Sequence, residues 1–249
     1  MSTDAPITAD TLTGRRFYRF LQLTLAPYLR WAYRVKVFGV ETFPMEGPVI
    51  VVANHLSFWD SFWVPLCVPR RVVFLAKAEY WDSWKTRWLV KSLGMIPIRR
   101  DIRAKSLAAL ETGIEFLKSG GVLGVYPEGT RSPDGRLYRG RTGVARLALG
   151  ANSPVVPIGL IGSREVMPKG AKLPKLRGNI TVKFGPPMTF EKYADSDNPR
   201  LALRAMTDEI MFAIMEQSGQ TYVDEYASRD TAPKPTTEDM RIPSDEKLG

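Results

Sequence analysis

Five consecutive apolar residues after Pro48, Val49-Ile50-Val51-Val52-Ala53, constrain the fold of this chain more than any other stretch. A strand with one face in water alternates apolar and polar side chains, whereas an uninterrupted β-branched run belongs to a sheet covered on both faces. Similar runs predict strands over 72–75, 95–98, 122–126, 155–161 and 180–184. Helical periodicity lies between them, over 57–67, 84–93, 104–118 and 142–149. A last helix is predicted over 199–217, with Pro199 in its first turn and Leu203, Met206, Ile210 and Ile214 on one stripe. Strands alternating with helices imply an α/β fold: a single domain with a mixed, mostly parallel sheet flanked by helices. In such sheets the functional groups collect at strand ends.

Hydrophobic residues make up 44% of the 249, enough for a substantial core. The single cysteine, Cys67, rules out an intrachain disulfide and reads as a small core residue. One histidine and one cysteine do not make a zinc cluster, and no spacing marks a metal site. Thirty-five lysines and arginines against 26 acids leave a net charge of +9, which favours an anionic partner: nucleic acid, an anionic membrane surface or a phosphate-bearing substrate.

Much of that charge is concentrated early. Arg15, Arg16, Arg19, Arg30, Arg34 and Lys36 occur without one acid between them, interleaved with Phe17, Tyr18, Phe20, Leu21, Leu23, Leu25, Tyr28, Leu29, Trp31 and Tyr33. The pattern predicts a largely helical, amphipathic segment interrupted at Pro27. It is too broken by arginines for a membrane span, which needs about 20 predominantly apolar residues. Two readings stand: a membrane-interface helix pair with arginines at the headgroups, or an amphipathic helix packed on the domain's own core. Residues 1–10 lack the basic start and apolar core of a secretory leader, so the chain is expected in the cytoplasm. The expected organisation is a loose lead-in over 1–13, a membrane-interface helical segment over 14–40, one domain over 41–226 and a disordered tail over 227–249, rich in Pro, Thr, Asp, Glu and Lys.

The chemistry centres on His55, the one histidine, directly after the apolar run and five residues before Asp60. Imidazole is suited to proton transfer near neutral pH, and a carboxylate on its second nitrogen would fix its tautomer. On a continuous helix a five-residue separation is about 140° of rotation, so the pair would not share a face; a turn leading into a first helical turn brings them together.

Asn54-His55-x-x-x-x-Asp60 resembles the first signature of the glycerolipid acyltransferase superfamily, most closely its bacterial lysophosphatidic acid acyltransferases. Three later segments resemble that family's other signatures in the same order. They are Gly94-Met95-Ile96-Pro97-Ile98-Arg99-Arg100, then Tyr126-Pro127-Glu128-Gly129-Thr130-Arg131-Ser132, then Val156-Pro157-Ile158. The third is the most specific and differs from the usual pattern only in Tyr126, where the family has Phe; the second departs from it at Arg99, where the family has Asp or Asn. The resemblance implies that His55 is the general base and Asp60 its orienting partner. It also implies that Arg100, Arg131 and Lys77 hold an acceptor phosphate, that Glu128, Gly129 and Thr130 help bind the acceptor, and that the last segment lines the acyl region.

The residue chemistry agrees. A phosphate monoester calls for converging cations, arginine binds it bidentately, and a glycine admits close backbone approach. Arg100 and Arg131 would converge if the strands before them are neighbours, and Glu128 either accepts from a hydroxyl or pairs with Arg131. The implied reaction is acyl transfer from acyl-CoA or an acyl carrier protein to a lysophospholipid, giving phosphatidic acid, with no bound cofactor or metal. The implied place is the cytoplasmic face of the cell membrane, peripheral or monotopic, on an anionic surface. Two alternatives remain open: another lipid acceptor, such as a glycolipid or lyso-amino lipid, and a non-enzymatic anionic-lipid-binding module. No nucleic-acid-binding module is recognisable, and no nucleic-acid partner is expected.

Overall fold

A computed structural model of the chain describes residues 15–77, 96–98, 103–168, 171 and 173–227, with side chains over 23–74, 107–168, 171 and 173–227. The strands are β1 (Lys36–Phe38), β2 (Val49–Ala53), β3 (Val72–Lys77), β4 (Ile96–Ile98), β5 (Val122–Val125), β6 (Leu137–Tyr138), β7 (Val155–Ile161), β8 (Thr181–Phe184) and β9 (Tyr222–Val223). The helices are α1 (Arg15–Ala32), α2 (Asp60–Cys67), α3 (Arg103–Lys118), α4 (Gly143–Ala151), α5 (Ser163–Val166) and α6 (Pro199–Ser218). Seven strands form one sheet in the order β1-β8-β7-β2-β5-β3-β4, while β6 and β9 pair separately. Every neighbouring pair in the large sheet is parallel except β7 and β8.

The apolar run explains its own position. β2 lies mid-sheet between β7 and β5, and its side chains divide between two cores. Val49, Val51 and Ala53 pack with Leu29, Tyr33, Trp63, Val64 and Cys67 on one face. Ile50 and Val52 pack with Phe116, Leu147, Met206, Ile210 and Ile214 on the other. Helices cover both faces, so no residue of β2 has water to face. α6 carries the predicted stripe: Leu203, Met206, Ile210 and Ile214 are all buried. Asn198 caps its start by accepting from the Leu201 N–H, and Gly219 ends it at a φ of 70°.

Several details differ from the sequence reading. α1 runs through Pro27 without a break. Proline costs one hydrogen bond there, but burial of Leu29 and Tyr33 against the sheet holds the following turn. α1 packs on the domain's own core through that buried face, and it leaves Leu23, Leu25, Tyr28 and Trp31 exposed. β1 falls inside the segment assigned to the interface, yet it pairs with β8 and belongs to the sheet. The helix expected from residue 57 starts at Asp60. Ala227, assigned to the tail, is buried. The helix expected over 84–93 and the tail beyond Ala227 lie outside the described residues.

Candidate active site

β2, β5, β3 and β4 run in one direction, so the segments leaving their C-terminal ends emerge on one edge of the sheet. His55 leaves β2, Glu128 to Arg131 leave β5, and Lys77 ends β3. Arg100, like Arg99, lies outside the described residues, as does the side chain of Lys77. β4 is not a neighbour of β5, because β3 lies between them. Two strand spacings separate their ends by roughly 10 Å.

A six-residue turn holds the His55–Asp60 pair. Asn54 is fully buried and pins the end of β2 to β7, donating to the Leu160 carbonyl (2.9 Å) and accepting from its N–H (2.7 Å). The chain then turns back, and Asp60 opens α2 with one carboxylate oxygen turned toward three donors. Oδ2 accepts from the N–H groups of Leu56 (2.6 Å) and Ser57 (2.7 Å) and lies 3.0 Å from His55 Nδ1. Oδ1 is buried and has no hydrogen-bond partner among the described residues. Ser57 ties the turn to the segment after α5 by donating to the Met167 carbonyl (2.9 Å). With Nδ1 engaged, Nε2 is the nitrogen left to exchange a proton, and the His55 side chain is 17% exposed against 0% for Asp60.

Glu128 holds His55 by its backbone. One oxygen accepts from the His55 N–H (3.0 Å) and the other from the Tyr138 N–H (3.0 Å), while the Ser132 N–H donates to the His55 carbonyl (2.7 Å). Both polar groups of the His55 backbone are therefore fixed by the loop that follows β5. Glu128 is buried and, among the described residues, makes no ion pair with Arg131. Gly129 sits at a φ of 74°, where a Cβ would be strained and would come 3.1 Å from Arg141 Nε. Thr130 and Arg131 are partly exposed beside this clamp.

An aromatic stack fixes the imidazole plane. The Tyr126 ring lies 4.0 Å from His55 at 12°, and Phe74 lies 5.2 Å behind Tyr126 at 14°. Gly124, paired with Phe74, makes room for the stack: a Cβ there would meet the Phe74 ring at 2.5 Å. Burial, reinforced by the Asp60 charge, pushes the Tyr126 phenol well above its ordinary value, so it stays protonated and does not compete as a base. Asn54 and Ser132 stand in the quoted signatures without a role assigned to them, and Phe74 and Gly124 carry no sequence assignment. The one available signal was parity, since Gly124 and Tyr126 are two apart at a strand end and so fall on one face.

Burial raises the Glu128 carboxyl to about 8, against the opposing pull of the Tyr138 and His55 amides, with Asp60 and Asp134 adding repulsion. The folded protein then holds a proton that the unfolded chain, at an ordinary value of 4.5, has already lost. Stability is therefore expected to fall as pH rises from about 4.5 to about 8, by a few kcal/mol in all. Urea denaturation across that range checks this, and Glu128→Gln should flatten the dependence.

The described edge thus offers a carboxylate-oriented imidazole with one nitrogen outward, a glycine turn and an adjacent arginine, on an open α/β sheet. An imidazole paired with a buried carboxylate is suited to proton exchange. Residues 34–161 match the Acyltransferase family model, and the chain belongs to the glycerolipid acyltransferases of the PlsC type. It is 31% identical over 200 residues to the 1-acyl-sn-glycerol-3-phosphate acyltransferase of Pseudomonas aeruginosa, covering 77% of this chain and 74% of that one. It is 29% identical to the chloroplastic 1-acyl-sn-glycerol-3-phosphate acyltransferase of Arabidopsis thaliana, covering 70% of this chain and 49% of that one. The chain thus spans about half the length of the plant relatives it matches. The crystal structure of the 1-acyl-sn-glycerophosphate (LPA) acyltransferase PlsC from Thermotoga maritima superposes with a TM-score of 0.63 at 28% identity, covering 81% of this chain and 78% of that one.

Proposed function

We propose that the protein acylates lysophosphatidic acid to phosphatidic acid. The observation that carries this reading is the His55 Nδ1–Asp60 Oδ2 contact of 3.0 Å, which leaves Nε2 to act as the base. Nε2 takes the proton of the free hydroxyl of a 1-acyl-glycerol 3-phosphate as that oxygen attacks the thioester carbonyl of acyl-CoA or an acyl carrier protein. The buried Asp60 carboxylate stabilises the imidazolium, as in a triad whose nucleophile is the substrate itself. The tetrahedral intermediate collapses, its C–S bond breaks, and the imidazolium returns the proton to the thiolate. No bound cofactor or metal takes part.

Arg131, Arg100 and Lys77 hold the acceptor phosphate in this reading, with Gly129 and Thr130 shaping the approach. Glu128 acts through the His55 backbone instead. Arg131→Ala should raise the acceptor KM by roughly 10- to 100-fold, the value of a charge-assisted hydrogen bond, with a smaller change in kcat. Steady-state kinetics with varied acceptor would check it.

The acceptor and product are lipids, so the reading places the protein peripherally or monotopically on the cytoplasmic face of the cell membrane, with α1 on an anionic surface. Among the described residues no helix is long and apolar enough to cross a membrane. The exposed Leu23, Tyr28 and Trp31 alongside Arg30 and Arg34 support interfacial contact. The deciding assay incubates purified protein with lysophosphatidic acid and palmitoyl- or oleoyl-CoA or acyl carrier protein, following thiol release and lipid product together. Thiol release with another hydroxylated lipid, and no phosphatidic acid from lysophosphatidic acid, would overturn the acceptor assignment.

A further inference from the structure

Leu173 and Leu176 are 81% and 90% exposed, more than any other large apolar side chain among the described residues. They lie in a strongly basic stretch. From Val166 to Phe190 the sequence has Lys169, Lys172, Lys175, Arg177 and Lys183 and no acid. Lys175 and Arg177 are exposed.

Described residues on both sides of this stretch are held by the fold. Tyr33, at the end of α1, donates from its hydroxyl to the Lys175 carbonyl (2.7 Å), and the Lys175 N–H donates to the Val166 carbonyl (2.9 Å). Gly178 packs so closely under α5 that a Cβ there would meet Val166 at 2.4 Å and the Tyr33 ring at 3.5 Å. At the other end Ser57, two residues from His55, holds the Met167 carbonyl. Lys175 is therefore tied to Tyr33, just after α1, and Met167 to the turn that carries His55.

We infer that the segment over residues 173–177 is a second membrane-insertion element, entering an anionic bilayer together with the exposed apolar side chains of α1. This rests on the placement at a membrane proposed above and names a further part of the protein that makes the contact. Leucines flanked by cations suit an interface where apolar tips enter the acyl boundary and the ammonium and guanidinium groups meet lipid phosphates. The Tyr33–Lys175 bond ties this segment to the residue just after α1.

The test labels Leu176→Cys with an environment-sensitive fluorophore. The native Cys67 does not compete, being buried with a thiol pushed up to about 11. Vesicles of phosphatidylcholine with phosphatidylglycerol are expected to blue-shift the label and shield it from iodide. Pure phosphatidylcholine should do so far less, and a label at the exposed Glu216→Cys on α6 should not respond. Leu173→Ser with Leu176→Ser should weaken partitioning to the anionic vesicles about tenfold. Insensitivity of the label to vesicles, unchanged partitioning of the double variant, or a response only to an acidic carrier protein would each overturn the inference. Neither measurement requires turnover, so both remain decisive if acylation of lysophosphatidic acid is not found.

Discussion

His55→Ala is expected to reduce phosphatidic acid formation by about 10³-fold, within the range a positioned general base contributes. The chain has no second histidine, and Tyr126, stacked on the ring, has a phenol held protonated by burial. Little else should change. The backbone of residue 55 is fixed by Glu128 and Ser132, contacts that do not involve the imidazole. Asp60 keeps its bonds from the Leu56 and Ser57 amides. The lost ring stack costs about 1 kcal/mol, or a few degrees in Tm. Binding of the acceptor should persist, because the groups assigned to the phosphate are elsewhere. Parallel measurement of kcat, KM and Tm separates the two roles: a variant with near wild-type turnover would remove His55 from the chemistry, whereas a lost thermal transition would make the residue structural.

The sheet was legible because its central strands are buried on both faces. Val49 to Ala53 and Val155 to Ile161 carry no polar residue that would blur their limits. β1 left no such trace: it has three residues at the sheet edge, two of them exposed, and its Lys36 reads as part of the basic segment. β6 and β9 are two residues each, too short for any periodicity. The start of α2 was misplaced for a different reason. Apolar periodicity continues back through Leu56 and Phe58, but the amides of Leu56 and Ser57 are taken by Asp60 instead of by a helical turn.

At the site, the His55–Asp60 pairing was local and could be argued from a turn. The role of Glu128 was not, because it depends on a contact 73 residues away in the chain. Read in sequence, a glutamate three residues before an arginine suggests an ion pair or a substrate hydroxyl. Only the parallel pairing of β2 with β5 brings its carboxylate under the His55 amide. The same pairing, continued to β3, produces the Phe74–Tyr126–His55 stack.

Asp60→Asn can separate charge from geometry because of how the carboxylate is used. All three donors converge on Oδ2, while Oδ1 has no partner among the described residues. An asparagine that places its oxygen where Oδ2 lies keeps the bonds from Leu56, Ser57 and His55 and puts its amide nitrogen in the vacant position. The cost is one buried donor without an acceptor, about 1–3 kcal/mol, so the variant should fold with Tm lowered by several degrees. The reverse rotamer would set an NH₂ group against three donors and open the turn. What the variant loses is the negative charge facing the imidazolium that forms as the acceptor hydroxyl is deprotonated, a charge whose effect is strengthened by complete burial. Turnover should fall by roughly 10²- to 10³-fold with the acceptor KM nearly unchanged, since Asp60 is too deeply buried to touch the lipid. Wild-type kcat at lowered Tm would make Asp60 a turn cap and nothing more. A kcat loss without loss of the folded state would assign the catalytic contribution to its charge.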